Sequence, residues 1–188
     1  MNKFSIRAVS ASLGLVFLAL ASPGFAQTSS NAPTVTLNAV LAESLGITAS
    51  PSAVSFALVP GGTSPGSAPV VISTTWVLAA GRASIVLDAY FASATAALSG
   101  GTPVVNIPSS EIYGMVSTGI PTTLTAFTQT AVLGAASAGL TLFSQTLTTL
   151  TRNSNRTDNL ALQINLTAQP QLPAGSYTGT LILQAQAL

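Results

Sequence analysis

The chain of 188 residues contains no cysteine and no histidine, and its charged residues make up 5% of the total. Without cysteine there is no disulfide to staple a small fold, so stability in an oxidising compartment rests on the core alone. A chain of this length can bury a core of that size. Without histidine or cysteine there is no Ser-His-Asp triad, no thiol nucleophile and no ordinary zinc site. Lysine occurs once, at Lys3, which leaves no Schiff-base chemistry in the body of the chain. Basic residues are equally sparse: beyond residue 26 only Arg82, Arg152 and Arg156 remain, too few to make the stripe that a phosphate backbone needs. A nucleic-acid partner and catalysis are therefore both unexpected.

What is present begins with a leader. Lys3 and Arg7 precede an apolar run from Ala8 to Ala21, followed by Ser22-Pro23-Gly24-Phe25-Ala26. That order of basic, apolar and small-residue segments reads as a secretory signal peptide over residues 1–26, with cleavage after Ala26. The competing reading, a membrane anchor, fails on length, since a span needs roughly 20 apolar residues and Pro23-Gly24 interrupts this one. No cysteine follows to carry a lipid. The expected location is extracellular, cell-surface or periplasmic. The mature chain is then Gln27–Leu188, read as a single domain, and its three arginines against Glu43, Asp88, Glu111 and Asp158 leave a net charge of −1.

A mean hydropathy of +0.60 with 48% apolar residues sets this chain apart from disordered sequences, which combine low hydrophobicity with high net charge. Its solubility depends on Ser, Thr, Asn and Gln, with little charge repulsion to keep molecules apart, so self-association is expected.

The periodicity is that of strands. Val35, Leu37, Ala39 and Leu41 alternate with Thr34, Thr36, Asn38 and Val40 and predict an opening strand; Val54, Phe56 and Leu58 predict a second, ended by Pro60-Gly61-Gly62, with loop composition continuing to Ser67. Val70–Leu78, Ser84–Phe91, Val104-Val105, Ile112–Val116, Leu124–Leu133, Leu140–Leu150, Leu160–Thr167 and Tyr177–Ala187 follow. The alternation slips at Gln145, the mark of a bulge. Ala92–Leu98 predicts a short helix ended by Gly100-Gly101. The polar run Arg152–Asn159 predicts a solvated loop, and Pro170 with Leu172–Gly175 the turn joining the last two strands. The expected fold is all-β: an antiparallel Greek-key sandwich, immunoglobulin-like or jelly-roll-like, of 8–10 strands. An outer-membrane barrel also alternates, but it wants aromatic girdles and a charged lumen that this composition does not supply.

Candidate sites are few. Asp88 and Glu111, both in apolar strand contexts, are the best pair for glycoside hydrolysis; the plainer reading is single acids facing solvent or paired with Arg82. Asn153, Asn155, Asp158 and Asn159 could offer oxygens to calcium, though with one carboxylate they read more simply as a polar turn. Asn155-Arg156-Thr157 and Asn165-Leu166-Thr167 match the glycosylation pattern. Trp76, Tyr90, Phe91, Tyr113 and Tyr177 could line a sugar-stacking face or pack in the core. None of these groups is read as a catalytic, cofactor or metal site.

The closing run Leu172-Pro173-Ala174-Gly175-Ser176-Tyr177-Thr178-Gly179-Thr180-Leu181 resembles the last strand of bacterial surface β-sandwiches, including WxL-type and pilin-like or spore-coat-like secreted domains. The resemblance implies a fold type and a cell-surface setting and assigns no functional residue. Trp76-Val77-Leu78 has no second tryptophan to complete the WxL pair, and the cysteine pair of the pilin-like and spore-coat-like domains is missing. Two functions follow as expectations: a self-associating coat, fibre or pilus-like subunit using strand edges, or an adhesin or carbohydrate-binding module using the loops at one end; Gln27–Leu41 could add to a neighbour's sheet, although pairing within its own sandwich is the plainer reading, since sequential strands usually neighbour each other.

Overall fold

The computed structural model describes residues 31–128 and 139–188. Its strands all lie in one compact unit, Val40–Leu188. They are β1 Ser44–Ser50, β2 Thr63–Pro65, β3 Val70–Val77, β4 Ser84–Phe91, β5 Leu98–Gly100, β6 Val105–Ile107, β7 Ile112–Val116, β8 Thr125–Ala126, β9 Leu140–Thr146, β10 Asn153–Asn165, β11 Tyr177–Thr178 and β12 Leu181–Ala187. Twelve strands exceed the expected 8–10 because five of them are pairings of only two or three residues. Every pairing is antiparallel, in the orders β1-β3-β10-β7-β8 with β2 also on β10, β12-β4-β9, and a small β11-β5-β6 sheet.

The two larger sheets form a sandwich because alternation gives each an apolar inner face. Val70, Ile72 and Trp76 of β3 and Ile85, Leu87, Ala89 and Phe91 of β4 are buried in one common core. Side chains of this kind contribute roughly 1.5–3 kcal/mol each on burial. The Trp76 indole donates its N–H to the Thr151 carbonyl at 2.8 Å, so its polar atom is not stranded there. In β9, Leu87 pairs with Phe143 and Asp88 with Thr141, making Leu142 the extra residue of a bulge. The bulge lies upstream of Gln145, where the alternation placed it, and it turns Leu142 and Phe143 both into the core.

From β3 onward the longer strands alternate between the sheets: β3, β7 and β10 on one side, β4, β9 and β12 on the other. The expected hairpin between the last two strands is therefore wrong. The connection from Leu166 to Ser176 crosses the roughly 10 Å between layers, and β12 pairs with β4 while β10 pairs with β3.

Five further expectations are corrected. Residues 31–43 carry no strand; the first strand is β1, where Leu45, Ile47 and Ala49 oppose Trp76, Thr74 and Ile72 of β3. Val54–Leu58 makes only an isolated bridge, Phe56 to Gly66, whereas the supposed loop at Thr63–Pro65 is a strand on β10. Ala92–Ala97 forms bends, with the Ser93 hydroxyl accepting the Ala96 N–H at 3.2 Å; a segment this short cannot offset the cost of helix nucleation. A one-turn 3₁₀ helix occurs instead at Ser109–Glu111. The predicted strand at Leu124–Leu133 reduces to β8 at Thr125–Ala126, and residues 129–133 lie outside the described part.

The polar run is the most instructive correction. Arg152–Asn159 is not a loop: from Asn153 it belongs to the longest strand, β10, in register with β3. Its alternation is polar on both faces, with Asn153, Asn155, Thr157 and Asn159 exposed and Arg156 and Asp158 turned inward. Asp158 is fully buried and receives a bidentate grip from Arg156, at 2.8 Å from Nε to Oδ2 and 2.9 Å from Nη2 to Oδ1, and a Thr118 hydroxyl at 2.8 Å. The guanidinium also lies 4.9 Å over the Phe143 ring and donates to the Thr118 carbonyl. Removing one partner from such a pair leaves a buried charge exposed to an apolar medium, whereas removing both does not. Arg156→Leu should cost roughly 3–5 kcal/mol in urea unfolding, and Arg156→Leu with Asp158→Leu should recover most of that loss. Equal stability of the single variant and the native chain would contradict this.

Candidate functional site

The sandwich does not close evenly at its two ends. At the end bearing Val70 of β3, Phe91 of β4 and Leu181 of β12, a cleft of about 940 Å³ opens into the core, lined by apolar side chains together with Ser52, Ser55, Ser176, Tyr177, Thr178 and Thr180. One wall is the irregular stretch from Ala49 to Leu58, which presents Val54, Phe56 and Leu58; the facing wall runs from Leu172 to Leu183. No charged side chain lines it. The volume is at the upper end of the range that takes small-molecule ligands.

Each wall has a local cause. The stretch after β1 has few ties: beyond the Phe56 bridge, Ser55 and Ser67 exchange two hydrogen bonds at 2.9 and 3.2 Å, and the Val59 N–H reaches the Ser64 hydroxyl at 3.0 Å. The opposite wall is clamped by glycine. A Cβ on Gly100 would sit 1.9 Å from the Ser176 carbonyl oxygen, so only glycine lets β5 and β11 lie this close. The Tyr177 hydroxyl donates to the Pro173 carbonyl at 2.7 Å and fixes the turn before β11.

The residues singled out in the sequence do not gather into a site. Asp88 is buried on β4 and accepts the Thr141 hydroxyl at 2.6 Å, while Glu111 precedes β7 on the other sheet. Neither pairs with Arg82, which binds Glu43 at 3.2 Å. Asn153, Asn155 and Asn159 lie on the exposed face of β10 and Asp158 on the buried one, so their oxygens do not converge. Among the described residues no cluster of acids could hold a metal ion. Trp76 and Phe91 are core residues; Tyr90, Tyr113 and Tyr177 are half-buried on three different sheets. Asn155 is exposed on β10, and Asn165 spends its side-chain oxygen on the N–H and hydroxyl of Thr167. The cleft was the feature that alternation could not reveal. The pattern shows that Val54, Phe56 and Leu58 share a face but not that the face borders an opening.

Apart from buried Asp88 and the Arg156 pair, the charged residues of the described part lie nearer the surface. At the end opposite the cleft, the Arg82 guanidinium, with the Ala79 N–H at 2.7 Å, holds the Glu43 carboxyl below its ordinary range. Burial pushes Glu111 upward, against a hydrogen bond from Gln169, and its Oε2 has no partner among the described residues. A carboxyl whose value is raised on folding binds its proton more tightly in the native state, so stability falls as pH rises from the ordinary glutamate range through the raised value. Urea unfolding between pH 4 and pH 7 should show that decline, and Glu111→Gln should flatten it; an unchanged slope in the variant would refute the assignment.

Comparison with protein-family models, with curated proteins and with solved structures gives no match to this chain.

Proposed function

We propose that this chain is an exported, non-catalytic structural subunit of a cell surface, coat or fibre that associates with copies of itself. The observation that carries the reading is the stretch leading into β1, where Val35, Leu37 and Leu41 are 81%, 89% and 80% exposed. Each such side chain left in water forgoes roughly 1.5–3 kcal/mol that burial would supply. A monomer whose surface has so few charges has little to oppose their burial against a neighbour.

Export is supported by the leader-like order of residues 1–26 and absence of catalysis by a residue inventory that lacks His and Cys. No helix among the described residues is long and apolar enough to cross a membrane.

The adhesin reading has the ligand-sized cleft in its favour, but no described aromatic is exposed, and a sugar-stacking platform needs exposed rings. Sedimentation velocity and negative-stain microscopy over a hundredfold range of concentration test the proposal. Growth of oligomers or filaments with concentration is expected; a single monomeric species throughout would refute it.

A further inference from the structure

The cleft has a floor and a rim of different chemistry. Its floor is the open end of the core, where Val70, Phe91, Ile112, Ile164 and Leu166 are all buried. Among the described residues that line the cleft, none is charged and none of the buried ones is polar. The hydroxyls sit higher. Ser52 and Ser55 on one wall and Ser176, Thr178 and Thr180 on the other are exposed. The half-buried Tyr177 donates its hydroxyl to the Pro173 carbonyl.

That division selects a class of guest. A polar group carried to the floor would give up its hydrogen bonds to water and find no side-chain partner, and a charge there would meet no counter-charge. The part of a guest that reaches the floor is therefore hydrocarbon, and any polar part belongs at the rim, uncharged and able to exchange hydrogen bonds with hydroxyls. The lining is mostly aliphatic. Its rings among the described residues are Phe56, Phe91 and Tyr177, and Phe91 is already engaged edge-on by Phe127, with ring centroids 5.3 Å apart. Branched aliphatic walls leave irregular gaps, which a flexible alkyl chain follows more closely than a rigid flat ring does, gaining more close contacts. Admission is cheap as well. The wall from Pro51 to Leu58 is tied by one bridge and a few hydrogen bonds, so it can shift without opening a long ladder.

We propose that this cleft is a binding site for the single alkyl chain of an uncharged amphiphile, with the chain between the two sheets and a hydroxyl-bearing head among the rim serines and threonines. The guest enters from water as one molecule, since a volume of about 940 Å³ is on the scale of one small-molecule ligand.

The test titrates octyl, decyl and dodecyl maltoside into the native chain by isothermal calorimetry, each below its micelle concentration. Affinity should tighten with every added methylene, by up to about fourfold each. Maltose alone should not bind. Two variants locate the site: Val54→Asp puts a carboxylate into the lining and should abolish binding of dodecyl maltoside, whereas Leu150→Asp puts the same charge on an exposed turn outside the cleft and should retain it. Circular dichroism checks that both variants fold, and the chain-length series on the native chain decides the matter even where Val54→Asp does not. No binding of dodecyl maltoside, or an affinity that is the same at all three chain lengths, would overturn the proposal. Binding of maltose as tight as that of dodecyl maltoside would overturn it in favour of a sugar site. Equal loss in Leu150→Asp and a folded Val54→Asp would overturn the location. The site stands apart from the proposed self-association: a chain that is monomeric at every concentration and shows the chain-length series would sink the one and leave the other.

Discussion

The burial of alternate residues of β3 against alternate residues of β4 is the contact on which the other parts of this molecule depend. With no disulfide and very few ion pairs to draw on, the chain must specify its fold through which face of each strand is apolar. Val70, Ile72 and Trp76 meet Ile85, Leu87, Ala89 and Phe91 across the sandwich, and the neighbouring strands take their register from these two. β10 is polar through its first half and becomes a strand only because β3 provides a partner for its backbone. The Arg156 and Asp158 pair then fits beneath the end of the core where Phe143 and Thr118 can satisfy it.

The same economy of charge shapes the ends. At one end Glu43 and Arg82 tie the chain entering β1 to the β3–β4 connection. At the other the connection after β1 crosses loosely to β2, and the clamp of Gly100 against Ser176 fixes the facing wall.

Strand faces were legible in the sequence wherever burial is one-sided. Val70–Leu78, Ser84–Phe91 and Ile112–Val116 fall within a residue of β3, β4 and β7, because an alternating apolar face has one stable use in a sandwich. What failed was everything decided by partners at a distance. The polar run at Arg152–Asn159 has loop composition, and its strand character comes from β3, some 75 residues earlier. Val35–Leu41 has strand composition and no partner among the described residues, so pattern without a neighbouring ladder left it outside the sheet. The crossing of the last two strands to opposite sheets was hidden for a similar reason: turn residues show that the chain reverses, not which layer it returns to. Of the candidate site, the shared face of Val54, Phe56 and Leu58 could be read from alternation, and the opening that it borders could not.

The β3–β4 contact can be measured directly. Leu87→Ala, which empties one side of it, should lower stability in urea unfolding by about 2–5 kcal/mol. A Leu87→Ala chain as stable as the native one would contradict the account.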